Sequence, residues 1–108
     1  MPNTDPGYKL LDGVTADGSG TAVAIPDGGH RYKDKLFGFY VWSTNFGGGT
    51  VTIQISLDNT NWFPARTQAD SQLNFTVSDH LVGVMRGIWV RATLAGATTP
   101  AAVNARMY

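Results

Sequence analysis

Hydrophobic and polar residues alternate strictly along residues 49–63, G-T-V-T-I-Q-I-S-L-D-N-T-N-W-F. The apolar positions are Val51, Ile53, Ile55 and Leu57, and the polar positions between them are Thr50, Thr52, Gln54 and Ser56. A period of two predicts a half-buried β-strand. Residues 58–61, D-N-T-N, tolerate left-handed backbone and form turns, and Trp62 begins the return. The stretch therefore predicts a β-hairpin with a large aromatic residue just past its turn.

The same alternation recurs in short segments along the chain. The predicted strands lie at residues 21–25, 36–43, 73–77, 88–94 and 103–108. Residues 81–85, L-V-G-V-M, fit either a strand or a single helical turn. No longer window combines a helical period with capping residues. We therefore expect an all-β fold: a single antiparallel β-sandwich, jelly-roll or immunoglobulin-like, of roughly seven to eight short strands.

The strand at 36–43 is apolar on both of its faces. Phe37, Phe39 and Val41 share one face, and Leu36, Tyr40 and Trp42 share the other. Either the strand is central and covered on both sides, or its second face is an exposed patch that needs a partner. The sequence leaves both interpretations open.

Glycine and proline repeatedly interrupt residues 1–20. The side chains of this segment that could contribute to a hydrophobic core are those of Tyr8, Leu10, Leu11 and Val14. The pattern fits either a frayed terminus or an extended arm that becomes ordered on a neighbouring subunit. We therefore divide the chain into an extended N-terminal arm, residues 1–20, and a β-sandwich domain, residues 21–108.

Composition narrows the classes of function. The formal net charge is 0, so the chain as a whole lacks long-range attraction to a phosphate backbone, and we expect no nucleic-acid partner. The absence of cysteine excludes disulfides and thiolate metal or redox sites. No apolar run is long enough to span a bilayer, and the N-terminus lacks the features of a signal peptide. We expect synthesis in the cytoplasm and no membrane partner.

The residues that catalysis requires are sparse. The two histidines, His30 and His80, both adjoin turn residues, and Asp79 and His80 would point to opposite faces of an extended chain. The eight acidic residues are all aspartates, mostly beside Gly, Asn or Ser, as in turns. Residues 58–61 carry oxygens that suit calcium but lack the spacing of a calcium-binding loop, so a hairpin turn is the better interpretation. We expect no catalytic residue, no cofactor and no metal site.

Aromatic residues outside the inward stripes are the remaining candidates: Tyr40, Trp42, Trp62, Trp89 and Tyr108. Such rings pack across strands on an outer face, anchor protein interfaces, or form stacking platforms for sugars. For Trp62 the preferred interpretation is packing at one end of the core.

Three segments carry a resemblance to a known group of proteins. The hairpin S-L-D-N-T-N-W-F, residues 56–63, resembles the S-x-D-G-x-x-W hairpin that recurs in small β-sandwich proteins of tailed bacteriophages, with Asn59 at the usual glycine position. Residues 12–23, D-G-V-T-A-D-G-S-G-T-A-V, resemble the lead-in to their first strand, and residues 87–92, G-I-W-V-R-A, their penultimate strand. Together these segments cover about half of the chain.

The resemblance implies a virion structural protein, either a head decoration (cement) protein or a minor head–tail or tail component. Its expected partners are further copies of itself, in a homo-oligomer, and the major capsid protein or other virion proteins. The alternative is a carbohydrate-binding or receptor-binding module that uses Trp42, Trp62 or Trp89. The expected interface residues are Tyr8, Leu10, Leu11, Tyr40, Trp42, Trp89, Arg91 and Tyr108.

Overall fold

The computed structural model describes residues 8–25 and 35–108. Within these ranges the chain forms ten β-strands and no helix. The strands are β1 (Tyr8–Val14), β2 (Gly18–Ser19), β3 (Val23–Ala24), β4 (Lys35–Trp42), β5 (Thr50–Ser56), β6 (Phe63–Pro64), β7 (Asn74–Phe75), β8 (Asp79–Met85), β9 (Trp89–Ala95) and β10 (Val103–Met107).

The strands form two antiparallel sheets. The first sheet has the order β1-β10-β4-β8, and its longest pairing joins β4 to β8 from Lys35↔Met85 to Val41↔Asp79. The second sheet is built on β5 and β9, which pair from Thr50↔Ala95 to Ser56↔Trp89. The short strands β2 and β3 lie along β9, and β6 and β7 lie along β5. The expected all-β, antiparallel class is confirmed.

Alternate residues of the long strands form one core between the two sheets. Each of these residues is at most 1% exposed: Val51 and Ile53 of β5, Val90, Ala92 and Leu94 of β9, Phe39 and Val41 of β4, and Val103, Ala105 and Met107 of β10. These are the inward positions that the sequence predicts. The burial follows from the period of two, because successive side chains of a strand point to opposite faces.

Two residues that the sequence predicts to face the core, Leu57 and Val77, are instead exposed, because each lies just past the end of a strand. Leu57 is 63% exposed, because β5 ends at Ser56 and Leu57 lies in the turn that follows. Val77 is 64% exposed, because β7 ends at Phe75. The segment 81–85, which fits either a strand or a helical turn by sequence, is part of β8.

The N-terminal segment differs from the extended arm that the sequence predicts, because part of it is a strand of the first sheet. Residues 8–14 form β1, an edge strand paired to β10, and Leu10 and Leu11 are 1% and 3% exposed. A register shift between Lys9 and Leu11 breaks the alternation, so two successive leucines reach the core. Gly20 lies against the same strand, since a Cβ placed there would come within 1.7 Å of the Leu10 carbonyl oxygen. Residues 1–7 of the expected arm lie outside the described residues.

We expect Leu10→Ala to destabilise the protein by about 2–4 kcal/mol, because it removes a fully buried side chain and leaves a cavity. The matched control is Leu57→Ala, which deletes the same atoms from an exposed turn and should change the free energy of unfolding by less than about 0.5 kcal/mol. Urea denaturation of both variants measures the difference. Equal free energies of unfolding for the two variants would mean that Leu10 lies in a peripheral arm and not in the core.

Candidate binding surfaces

The outer side of the first sheet carries a cluster of exposed apolar residues, which we call the aromatic face: Leu36, Tyr40, Trp42, Val82 and Tyr108. Residues directly opposite each other in an antiparallel pair lie on the same side of a sheet. Tyr40 lies opposite His80 on β8 and Arg106 on β10, and Trp42 lies opposite Asn104. The five residues of the aromatic face are each 40–49% exposed. The second side of β4 is therefore open among the described residues.

Ring contacts hold the aromatic face in place. Tyr40 stacks on His80 with ring centroids 5.2 Å apart and planes 14° apart. It also meets Tyr108 edge to face, with centroids 5.3 Å apart. The guanidinium carbon of Arg106 lies 5.8 Å from the centre of the Trp42 ring, within the range of a cation–π contact. These contacts fix the rings of Tyr40, Trp42 and Tyr108 within the chain itself.

The eight residues expected at an interface do not form one surface. Tyr40, Trp42 and Tyr108 come together on the aromatic face, and Tyr8 is 42% exposed at the start of β1. Leu10 and Leu11 are buried in the core and are unable to contact a partner in this structure. The remaining two, Trp89 and Arg91, lie on β9 in the other sheet.

The outer side of the second sheet carries a hydrogen-bonded cluster, which we call the polar cluster: Ser19, Gln54, Trp62, Arg91 and Thr93. Arg91 Nε donates to Gln54 Oε1 at 2.7 Å, and the Arg91 guanidinium carbon lies 4.3 Å from the centre of the Trp62 ring. Thr93 Oγ1 donates to the same Gln54 oxygen at 3.1 Å. The hydroxyls of Ser19 and Thr93 are 2.9 Å apart. The half-buried Trp62 thus holds an arginine on the outer side of the sheet.

Gln54 is not among the candidate residues that the sequence pattern predicts. Two features of the sequence point to Gln54 as a possible partner of Arg91. Gln54 lies in the polar stripe of β5, and Arg91 points outward on another predicted strand. The pairing Gln54↔Arg91 brings the two side chains together, but strand register is not readable from either segment alone.

The hairpin turn after β5 is held by two side chains, Ser56 and Asp58. Ser56 Oγ accepts from the backbone N–H groups of Asp58 and Asn59 at 3.2 and 2.9 Å. Asp58 Oδ1 accepts from the N–H groups of Thr60 and Asn61 at 2.9 and 2.8 Å, and Asp58 Oδ2 from the Asn61 amide at 2.7 Å. Asn59 takes the left-handed conformation, with φ of 60°. The carboxylate is engaged with donors of its own turn, as the hairpin interpretation requires.

These donors change the titration of Asp58. The backbone N–H of Asn61, followed by that of Thr60, stabilises the charged carboxylate and holds the pKa of Asp58 well below its usual value of 3.8. The amide of Asn61 and the hydroxyl of Ser56 act in the same direction.

Asp79 and His80, which are adjacent in sequence, make separate contacts. Asp79 Oδ1 accepts from the backbone N–H of His80 at 2.7 Å, while the His80 ring lies on Tyr40. His30 lies outside the described residues. Within residues 8–25 and 35–108 no three acidic or histidine side chains are grouped as metal ligands, and no helix is long and apolar enough to cross a membrane.

An open groove of about 780 Å³ lies beside β8. Its apolar lining is Leu36, Ile55, Pro64 and Val84, and its polar lining is Arg66, Thr67, Gln68, Asp70 and Arg86. Arg66 Nη1 donates to the carbonyl oxygen of Asp70 at 3.0 Å, and its Nε lies 3.7 Å from the Asp70 carboxylate. Arg66 therefore fixes the 66–70 loop beside this groove.

Comparison of the chain with protein-family models, with curated proteins and with solved structures gave no match. The outer sides of the two sheets are the candidate binding surfaces of the described residues.

We expect replacement of Asp58 by Asn to lower the free energy of unfolding at neutral pH, because the uncharged amide accepts the same N–H donors more weakly. A folded-state pKa below the unfolded one contributes stability above the unfolded value and loses it as the pH falls towards the folded value. The difference between wild type and Asp58→Asn should therefore be constant above about pH 5 and shrink steadily as the pH falls below about 4. Urea denaturation from pH 7 to pH 2 measures it. A difference that does not vary with pH would contradict this account.

Proposed function

We propose that this chain is a non-enzymatic structural protein of a tailed-bacteriophage virion. In this proposal it decorates the capsid and stabilises the shell through contacts with copies of itself and with the coat protein. The observation that carries the proposal is the aromatic face, a rigid apolar surface on the outside of the first sheet. Large exposed apolar patches on a soluble domain mark interaction sites.

The composition of the aromatic face favours a protein as its partner. Tyr, Trp and Arg are the residue types enriched at the energetic centres of protein interfaces, and Tyr40, Trp42, Tyr108 and Arg106 lie together here. The charged side chain of Lys9, which lies opposite Arg106, is nearer the edge of this side, on β1. An apolar centre with a charged rim is the usual anatomy of a protein interface.

The size of the face favours assembly at many equivalent sites. With about 3.4 Å per residue and about 4.8 Å between strands, the length of β4 and the four strands of the sheet span roughly 500 Å². Two such faces in contact would bury about 1,000 Å², near the lower limit for a specific interface. One contact of this size is weak, but a shell presents many copies, and multivalency multiplies modest affinities.

The strand pairing supports a jelly-roll form of the β-sandwich. The pairs are nested: β1 with β10, β2 and β3 with β9, β4 with β8, and β5 with β6 and β7. Such a long hairpin wrapped on itself defines a jelly roll, a fold that occurs in viral capsid and lectin domains. Because this fold occurs in both capsid and sugar-binding proteins, the fold alone does not distinguish a capsid role from a sugar-binding role.

The resemblance to phage β-sandwich hairpins supports the proposal through geometry. Ser56 and Asp58, which match the fixed letters of that pattern, cap the turn, and Asn59 takes the left-handed conformation that glycine readily takes. Trp62, the last matching residue, supports Arg91. Each matching residue thus has a role in building the hairpin.

A carbohydrate-binding module is the second candidate. The observation in its favour is the polar cluster, in which an aromatic ring lies beside an arginine and an amide on a flat sheet. Because this cluster lies on the second sheet, both functions are compatible with one chain.

We expect the purified protein to be a homo-oligomer in solution, and Tyr40→Ser with Trp42→Ser to shift it to monomers by removing two anchors of the aromatic face. The matched control is Phe63→Ser, which removes a 62%-exposed aromatic from the second sheet and should leave the oligomer intact. Analytical ultracentrifugation measures the masses, and far-ultraviolet circular dichroism checks the fold. A wild-type monomer at high micromolar concentration would contradict self-association through this face.

The position in the virion is tested separately. Mass spectrometry of virions purified from the phage whose genome encodes this chain should find it at a fixed ratio to the coat protein. Stripped particles should rebind wild type but not the double variant. Absence from intact virions would refute the decoration role whatever the oligomeric state.

A further inference from the structure

We propose that the polar cluster on the second sheet binds an acidic saccharide, with the carboxylate of the sugar held by Arg91. This inference deepens the second candidate function, the carbohydrate-binding module, by naming the class of sugar that it takes. It does not rest on the structural role in a virion, because the two surfaces lie on different sheets.

Arg91 is held ready for such a ligand. Its Nε is engaged by Gln54 and its guanidinium lies over Trp62, so the position and plane of the group are fixed. The two Nη groups make no hydrogen bond or ion pair with any residue of the ranges 8–25 and 35–108. A planar guanidinium with its Nη pair free presents two parallel donors, the arrangement that binds a carboxylate in bidentate fashion.

The neighbouring amide adds a further donor. Gln54 Oε1 accepts from both Arg91 Nε and Thr93 Oγ1, which fixes the orientation of the amide. Its Nε2 has no hydrogen-bond partner within the described residues. Because Thr93 uses its single hydroxyl proton on Gln54, Ser19 must be the donor in the Ser19–Thr93 bond. The oxygen of Ser19 is therefore left as an acceptor at the margin of the cluster.

The rest of the surface suits a sugar better than a simple anion. Hydroxyl side chains continue the cluster along the sheet, since Thr52 lies opposite Thr93, and hydroxyls are the natural partners of sugar hydroxyls. Trp89 lies opposite Ser56 on the same side, two residues from Arg91 along β9, and Trp62 contacts Arg91 from the segment just before β6. Donors for a carboxylate, hydroxyls for a polyol and indoles for an apolar ring face are the three features that an acidic saccharide requires.

Affinity electrophoresis tests the inference with the full-length chain. Native gels containing polygalacturonate are compared with gels containing dextran, a neutral polysaccharide, and with gels containing poly-aspartate. We expect wild type to be retarded by polygalacturonate and to migrate normally with dextran and poly-aspartate.

Two variants locate the site. Arg91→Gln should weaken the retardation at least about tenfold, because it removes the carboxylate partner. The matched control, Arg66→Gln, removes the same charge from the 66–70 loop, outside both the polar cluster and the aromatic face, and should bind as wild type does.

Gln54→Glu separates binding from folding. A glutamate would still accept from Arg91 and Thr93, so the sheet should remain as stable as wild type, but its charge would neutralise Arg91. We expect this variant to melt near the wild-type temperature and to lose the retardation.

Three results would overturn the inference. The first is normal migration of wild type with polygalacturonate. The second is equal weakening by Arg91→Gln and Arg66→Gln, which would indicate general electrostatic attraction. The third is retardation by poly-aspartate as strong as that by polygalacturonate, which would mean that charge alone is recognised. None of these outcomes bears on assembly through the aromatic face.

Discussion

The pairing of β5 with β9 is the interaction on which the rest of the molecule depends. Its continuous register from Thr50↔Ala95 to Ser56↔Trp89 places the inward residues of both strands in the core. The same register sets Gln54 against Arg91 on the outside. The four short strands of the second sheet pair only with β5 or β9. A shift of one residue would turn the apolar stripe outward and the polar cluster inward, so the core and the candidate sugar site are specified together.

The two sheets use their outer sides differently, and physical chemistry accounts for the contrast. On the outer side of the second sheet, polar side chains of β9 form hydrogen bonds with polar side chains of β5 and β2. The first sheet leaves rings exposed that contact mainly one another. Exposed apolar area is unfavourable by roughly 25 cal/mol per Å². A surface with that cost and an ordered ring arrangement is well suited to association.

Sequence patterns predict the long strands and their inward faces well, because strict alternation over five or more residues is typical of a half-buried strand and of little else. Val103, Ala105 and Met107 are examples, and all three are 0% exposed. The patterns fail where the geometry is not local. In a regular strand the adjacent residues Leu10 and Leu11 would point to opposite faces of the sheet. Both are buried because the pairing of β1 with β10 shifts register between Lys9 and Leu11. The Arg91–Gln54 contact depends on register between strands that are far apart in sequence, and no single segment contains that information.

The irregular strand β1 also links the first described residues to the last strand. Asp17 extends this link, since its carboxylate accepts from the backbone N–H groups of Gly96 and Ala97 at 3.0 and 2.9 Å. Contacts between residues so distant in sequence carry a greater loop-closure entropy cost than local contacts do, so we expect β1 to pair with β10 late in folding. The aromatic face itself lies on β4, β8 and the residue after β10, so β1 borders this face through its pairing with β10 and contributes no residue to it.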